Sequence, residues 1–236
     1  MTRVLDVARI HLVNWRMAVV MPLGILTLVL LLNWAILATV RGVGAESDFS
    51  AGFTTGGMVT MYVFVFVIAL QAITQVFPFA LGLSVTRRAF YLATSLYGLV
   101  QAVVFGLLLT LGLVVERATA GWGVGMVFFG SAAPVQNDLF VNGLSYIALL
   151  LASFAVGTAF GVVYKRWGQV GVYAVLVGLA VALTGAALIV TWQGWWLALG
   201  ETIIGQPPLA LGVGYPLLLA AVLGGAGWLA LRRATP

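Results

Sequence analysis

Apolar runs, each about as long as a bilayer core is thick, alternate with short segments whose charge changes sign from one to the next. A helix needs about 20 apolar residues to cross a hydrocarbon core of roughly 30 Å. Six runs meet that length, at about 18–39, 57–79, 91–115, 144–164, 170–192 and 212–231. With 63% of residues hydrophobic and 7% charged, the chain cannot present a water-soluble surface, which in soluble domains carries roughly 25% charge. The expected fold is an all-α polytopic membrane protein: six transmembrane helices forming one domain over residues 1–236, with both termini on the same side.

The charges assign the sides. Arg3, Arg9, Arg16, Arg87, Arg88, Lys165, Arg166, Arg232 and Arg233 fall in one set of segments, with Asp6 the only acid among them. Glu46, Asp48, Glu116, Asp138 and Glu201 fall in the other set, joined by Arg41 and Arg117. Positive charge stays cytoplasmic during insertion, so both termini are expected inside the plasma membrane. The same rule accounts for the net charge of +5 without a polyanionic partner, and nucleic acid is not expected to bind.

Before the first span, residues 2–16 place Val4, Leu5, Ala8, Leu12 and Trp15 on one helical arc with Arg9 and Arg16 at its margin, the pattern of a helix lying in the membrane interface. His11, the single histidine, has no companion ligand and reads as an interfacial side chain. The first run exceeds a signal-peptide core of roughly 7–15 residues and is expected to be a retained anchor. Two outer segments, 116–143 and 193–211, combine glycine or proline turn signals with tryptophan and phenylalanine, and are expected to dip into the outer interface or re-enter the membrane. Ser153, Gly157 and Gly161 in the fourth span, and Gly224, Gly225 and Gly227 in the sixth, form small-residue faces suited to close helix packing.

Missing chemistry narrows the function. The single lysine, Lys165, is not in a phosphate-binding loop, so ATP hydrolysis by this chain is not expected. No zinc-binding helix motif, nucleophile elbow or cysteine is present, and neither an enzyme nor a resident cofactor is expected. The spans hold no charged residue away from their ends, which argues against a proton-coupled carrier or a channel with charged rings. Their polar groups are amides and hydroxyls: Asn33 on the first span, Gln71, Thr74 and Gln75 on the second, and Gln101 on the third. An amide in hydrocarbon must find a partner, so these residues either bond between helices or line a substrate path.

Between the second and third spans runs Phe77-Pro78-Phe79-Ala80-Leu81-Gly82-Leu83-Ser84-Val85-Thr86-Arg87-Arg88-Ala89-Phe90-Tyr91. Pro78 can bend or end the span, Gly82 permits a tight turn, and Thr86 is suited to cap the next helix. In its order of residues this stretch resembles the first cytosolic loop of bacterial ABC transporter permeases of the type-2, exporter-like class. The resemblance implies a permease subunit that works as a pair, of two copies or two related chains, with two separately encoded ATPase subunits that bind ATP and magnesium. It implies that 2–16 is a connecting helix, that 79–90 is a coupling helix, and that the turn at 164–169 makes a second contact. Phe79, Leu83, Thr86, Arg87, Arg88, Phe90, Lys165 and Arg166 would then meet the ATPase. An ATP-independent carrier or channel and a non-transporting membrane scaffold are the rival readings.

Overall fold

The computed structural model describes residues 16–43, 53–130 and 138–232. The expected interfacial helix at 2–16 falls, except for Arg16, outside the described residues, as does 131–137 within the first outer segment. The architecture is all-α, with five stretches long and apolar enough to cross a membrane: Arg16–Gly42 (α1), Val59–Gly82 (α2), Arg87–Ala118 (α3), Leu139–Gln193, and a final helix at Ala210–Leu231.

The fourth stretch, 55 residues long, is not one rod. Gly168 has φ 65° and ψ −156°, a conformation open essentially to glycine alone, and it divides the stretch into 139–167 (α4) and 169–193 (α5). The chain doubles back there. A methyl group on Gly171 would lie 2.4 Å from Trp167 Cβ and 3.4 Å from Val163 Cγ1, whereas residues eight apart in a continuous helix are separated by about 12 Å along its axis. After α5 come a nine-residue helix, Trp196–Ile204 (α6), too short to span, and then the last helix, Ala210–Leu231 (α7).

Three helices carry a wide, i→i+5 turn, and each of these turns ends two residues before a proline. They are Arg16–Val20 before Pro22, Ala72–Val76 before Pro78, and Ala210–Gly214 before Pro216. A proline ring cannot donate to the carbonyl four residues back and collides with it, so the preceding turn widens to make room. The helix survives. Pro78, read from the sequence as able to bend or end the second span, is carried through, and α2 continues to Gly82.

Close approach of helices is permitted by glycine on one side of each contact. A Cβ on Gly157 of α4 would lie 2.3 Å from the Phe66 carbonyl oxygen of α2, and one on Gly161 would lie 2.7 Å from Ile73 Cβ. The small-residue face of the fourth span is therefore consumed by packing on α2 within this chain. On its other side α4 meets α3 through Phe154 against Gly98, Ile147 against Gly106 and Gly143 against Thr110. One end of the bundle is closed by Ile73, Phe77, Ala80, Phe90, Ala93, Val162 and Leu231, drawn from α2, α3, α4 and α7. That end carries the α2–α3 and α4–α5 turns and, with them, Arg87, Arg88, Lys165 and Arg166.

Gly157→Val should destabilise the protein, because the new side chain meets backbone that cannot rotate away; overpacking of this kind costs about 1–3 kcal/mol. Gly178→Ala on α5, with no atom within 4 Å of its position, should be silent. Thermal unfolding of the two variants in detergent checks the pair, and equal melting temperatures would contradict the α2–α4 contact.

Candidate functional site

At the charged end, α2 stops at Gly82 and the chain turns through Leu83–Thr86 before α3 begins at Arg87. Ser84, at φ 61°, breaks the helical path, and the amides of Leu83, Ser84 and Val85 close the turn on carbonyls of the last turn of α2. Thr86 is the N-cap of α3, its hydroxyl accepting from the Ala89 amide at 3.2 Å. The resemblance implied one helix over 79–90; the structure instead has the end of one helix, a capped turn and the start of the next. The turn leaves Phe79 and Leu83 one helical turn apart and 60% and 57% exposed. Phe90 differs from the expectation. It is fully buried, its ring 5.1 Å from that of Phe77, because the turn at Ser84 sets the phase in which α3 leaves its cap and so directs this side chain into the core rather than onto the surface.

The neighbouring turn at 164–169 exposes Arg166, whose guanidinium stacks 4.7 Å above the Trp167 ring, beside a half-buried Lys165. Arg87 and Arg88 face a separate cleft between α3 and α7, together with Tyr91, Leu92, Gly224, Gly225 and Trp228.

The polar residues of the spans divide into two groups. Asn33 Nδ2 donates to the Val29 carbonyl at 2.8 Å and so bonds within its own helix. Gln101 is buried, its Nε2 donating to the Ala18 carbonyl of α1 at 3.3 Å, which ties the first helix to the third. Thr74 donates to the Leu70 carbonyl, yet with Gln75 it lines a cleft of about 660 Å³ formed with Phe66, Leu70, Phe160, Tyr164, Val172 and Leu176. Gln71 and Gln75 are both exposed, near the middle of α2.

The opposite end contains a buried acid that sequence reading placed in a connection between spans. Glu116, 5% exposed, lies in the last turns of α3 rather than beyond the third span. Its Oε2 accepts from the amides of Phe128 and Phe129 at 2.9 and 2.8 Å and from Trp122 Nε1 at 3.3 Å, while Oε1 accepts from the Gly130 amide at 2.8 Å. The segment 116–143 was expected to dip into the outer interface or re-enter the membrane; through 121–130 it folds onto the end of the bundle. Met126–Val127 pairs in parallel with Phe53–Thr54, Trp34 Nε1 donates to the Trp122 carbonyl at 3.1 Å, and Tyr146 donates to the Phe129 carbonyl at 2.9 Å. Phe128 and Phe129 are buried where Gly57 and Gly112 lack side chains. The signal available in the sequence was the charge itself, an acid directly after an apolar run and followed by aromatics and glycines.

Hydrogen bonds to a charged acceptor contribute roughly 1.5–3 kcal/mol, and a buried donor left unmet costs roughly 1–3 kcal/mol. Glu116→Ala strands three backbone amides and should lower the melting temperature strongly, with a red shift of tryptophan emission as the Trp122 segment loosens. Glu116→Gln keeps one acceptor oxygen and should fall between wild type and Glu116→Ala. Wild-type melting in both variants would remove the carboxylate as the anchor of this cap.

No family model, no curated protein and no solved structure matches this chain.

Proposed function

We propose that the chain is the transmembrane permease subunit of an ATP-driven exporter of the ABC type, pairing with a second permease chain and with separate ATPase subunits that supply ATP and magnesium. The observation that carries this reading is the turn between α2 and α3. Phe79 and Leu83 stand exposed at the end of the bundle that also holds Arg87, Arg88, Lys165 and Arg166. Two adjacent apolar side chains at a water-facing, cationic end suit a groove on a soluble partner, with Lys165 and Arg166 meeting carboxylates at its rim.

The second half of the reading concerns the path. Gln71 and Gln75 are exposed near the middle of α2, where lipid cannot satisfy an amide. A second permease chain would convert this surface, with the neighbouring cleft at Thr74 and Gln75, into an enclosed path. Asn33 and Gln101 are better accounted for by packing, since their amide nitrogens bond to backbone inside the chain. Away from their ends the spans offer no charge to pair with an ionic cargo, which favours an amphiphile.

Six crossings complete the proposal. A continuous helix of 55 residues would be about 80 Å long, far beyond a bilayer core of roughly 30 Å, whereas α4 and α5 each suffice to cross once. Counted with α1, α2, α3 and α7 they make six, and by the charge rule this reading has both termini in the cytoplasm and α6 as an outer interfacial element before the last crossing. Asp138→Cys and Glu201→Cys should react with an impermeant thiol reagent added outside intact cells, while Arg88→Cys and Lys165→Cys should react only after permeabilisation. A reversed result at any one site removes a crossing.

The functional test is purification in mild detergent with identification of what remains bound. An ABC ATPase subunit should co-purify, and Phe79→Ala and Leu83→Ala should each reduce its retention about tenfold, as loss of a buried interface anchor does. Phe90→Ala should act differently, lowering the stability of the permease itself by roughly 3–5 kcal/mol, because that ring lies in the core. A chain that purifies alone and still moves substrate without ATP is a carrier or channel. One that purifies with other membrane proteins and moves nothing is a scaffold.

A further inference from the structure

A proline inside a helix deprives one backbone carbonyl, four residues back, of the amide that would close on it. In α1 that acceptor is Ala18, four before Pro22, and Gln101 Nε2 takes the missing donor's place at 3.3 Å. In α2 it is Thr74, four before Pro78. Thr74 lines the cleft between α2, α4 and α5, and Pro78, one turn further on, is exposed, so this carbonyl stands on an uncovered part of the cleft wall. A carbonyl in hydrocarbon needs a donor.

The cleft measures about 660 Å³, within the roughly 300–1,000 Å³ of small-molecule sites. Its polar groups gather at one end. Gln75 lies seven residues, about 10 Å, from the end of α2 at Gly82, and Tyr164 four residues, about 6 Å, from the break at Gly168. The other end is apolar. Phe66 is nine residues, about 13 Å, deeper along α2, and its ring meets that of Phe160 edge to face at 5.9 Å, with Leu176 of α5 beside them. None of the described residues that line the cleft is charged.

We propose that this cleft binds an uncharged amphiphile with a hydroxylated head, the class of a monoacylglycerol. The head donates to the Thr74 carbonyl and to the Gln75 side-chain oxygen, and accepts from the Gln75 amide nitrogen and the Tyr164 hydroxyl. Its acyl chain lies along Phe66, Phe160 and Leu176, toward the middle of the membrane. An ionised head would bring a charge to a wall that has none to pair with it. A plain hydrocarbon would leave the Gln75 amide and the Thr74 carbonyl unmet. The cleft is the one that a second chain would enclose, so calling its ligand a cargo rests on the transport reading; binding itself does not.

The full chain in phosphatidylcholine nanodiscs is offered a photoactivatable monoacylglycerol, and the labelled peptides are identified by mass spectrometry. Labels should fall on α2 between 66 and 75 and on α5 between 172 and 176. Monoolein should compete for labelling about tenfold better than oleate, which has the same chain and a charged head, or octadecene, which has no head. Val172→Trp, which fills the cleft, should abolish labelling. Gln75→Leu removes the amide, and Pro78→Ala returns a donor to the Thr74 carbonyl; each should cut the advantage of monoolein about fivefold, as loss of one hydrogen bond does. Should Val172→Trp not accumulate, those two variants decide. Equal competition by oleate or octadecene overturns the proposal, as does an undiminished advantage in Gln75→Leu or Pro78→Ala. Labels outside the cleft overturn it too, and so does a cleft that takes no label because a second copy covers it. With no ATPase in the discs, these results stand apart from whether an ATPase is retained at Phe79 and Leu83.

Discussion

The approach of α4 to α2 and α3 is the constraint on which the rest of the bundle depends. In lipid, apolar surface gains nothing by leaving one hydrocarbon for another, so helices associate through packing and a few polar contacts. Here the packing is made possible by absent side chains. Gly157 and Gly161 let the backbone of α2 come within contact of α4, while Gly98 and Gly106 of α3 receive Phe154 and Ile147 from α4. Once α4 is fixed between α2 and α3, the cluster of Phe77, Ala80, Phe90, Val162 and Leu231 can close one end. The α2–α3 turn inherits its position from that closure, and with it the exposure of Phe79 and Leu83.

The opposite end is organised by charge rather than by shape. A carboxylate removed from water is costly unless its lone pairs are met, and Glu116 meets them with three backbone amides and an indole nitrogen. The gain is reciprocal. Residues 128–130 enter a bundle end with amides that no helix or strand satisfies, and the carboxylate is their acceptor. Three glycines with positive φ between 121 and 125 let the chain make the turn that brings those amides to it. The segment is thus held by one acid, two tryptophan contacts, the Tyr146 hydroxyl, a two-residue strand pair and the burial of Phe128 and Phe129.

Much of this was legible in the sequence, for reasons that are physical. The apolar runs fall within the observed helices to within a few residues because hydrophobic length is fixed by the bilayer and read directly from composition. The cap at Thr86 was legible because a hydroxyl before a helix start has one strong local use. Phe90 was not. Its direction depends on the phase of α3, and that phase is set by the turn at Ser84, whose positive φ is not encoded by any residue preference. Gln101 and Gln75 have the same side chain, yet one bonds to the backbone of α1 and the other faces an open cleft, a distinction of tertiary contact alone. Glu116 was assigned to a connection between spans, and its burial was not legible because its partners are mostly backbone amides, which carry no signature in side-chain sequence.

Exposure has different meanings along this chain, and the difference bears on how complete a single copy is. Helix α5 has no buried residue, but between 170 and 190 its exposed positions are apolar or small apart from Tyr173 and Thr184, and its exposed glutamines, Gln169 and Gln193, lie at its two ends. Nothing about α5 demands a partner. Helix α2 carries comparable exposed valines, yet Gln71 and Gln75 share that surface and present amide groups that hydrocarbon leaves unsatisfied. A bilayer around one isolated chain would therefore be stable against α5 and unfavourable along one strip of α2. The strip beside the Thr74–Gln75 cleft is where a second chain or a water-filled path gains most, and it follows from two amides that Gln101, tied inward to α1, does not join.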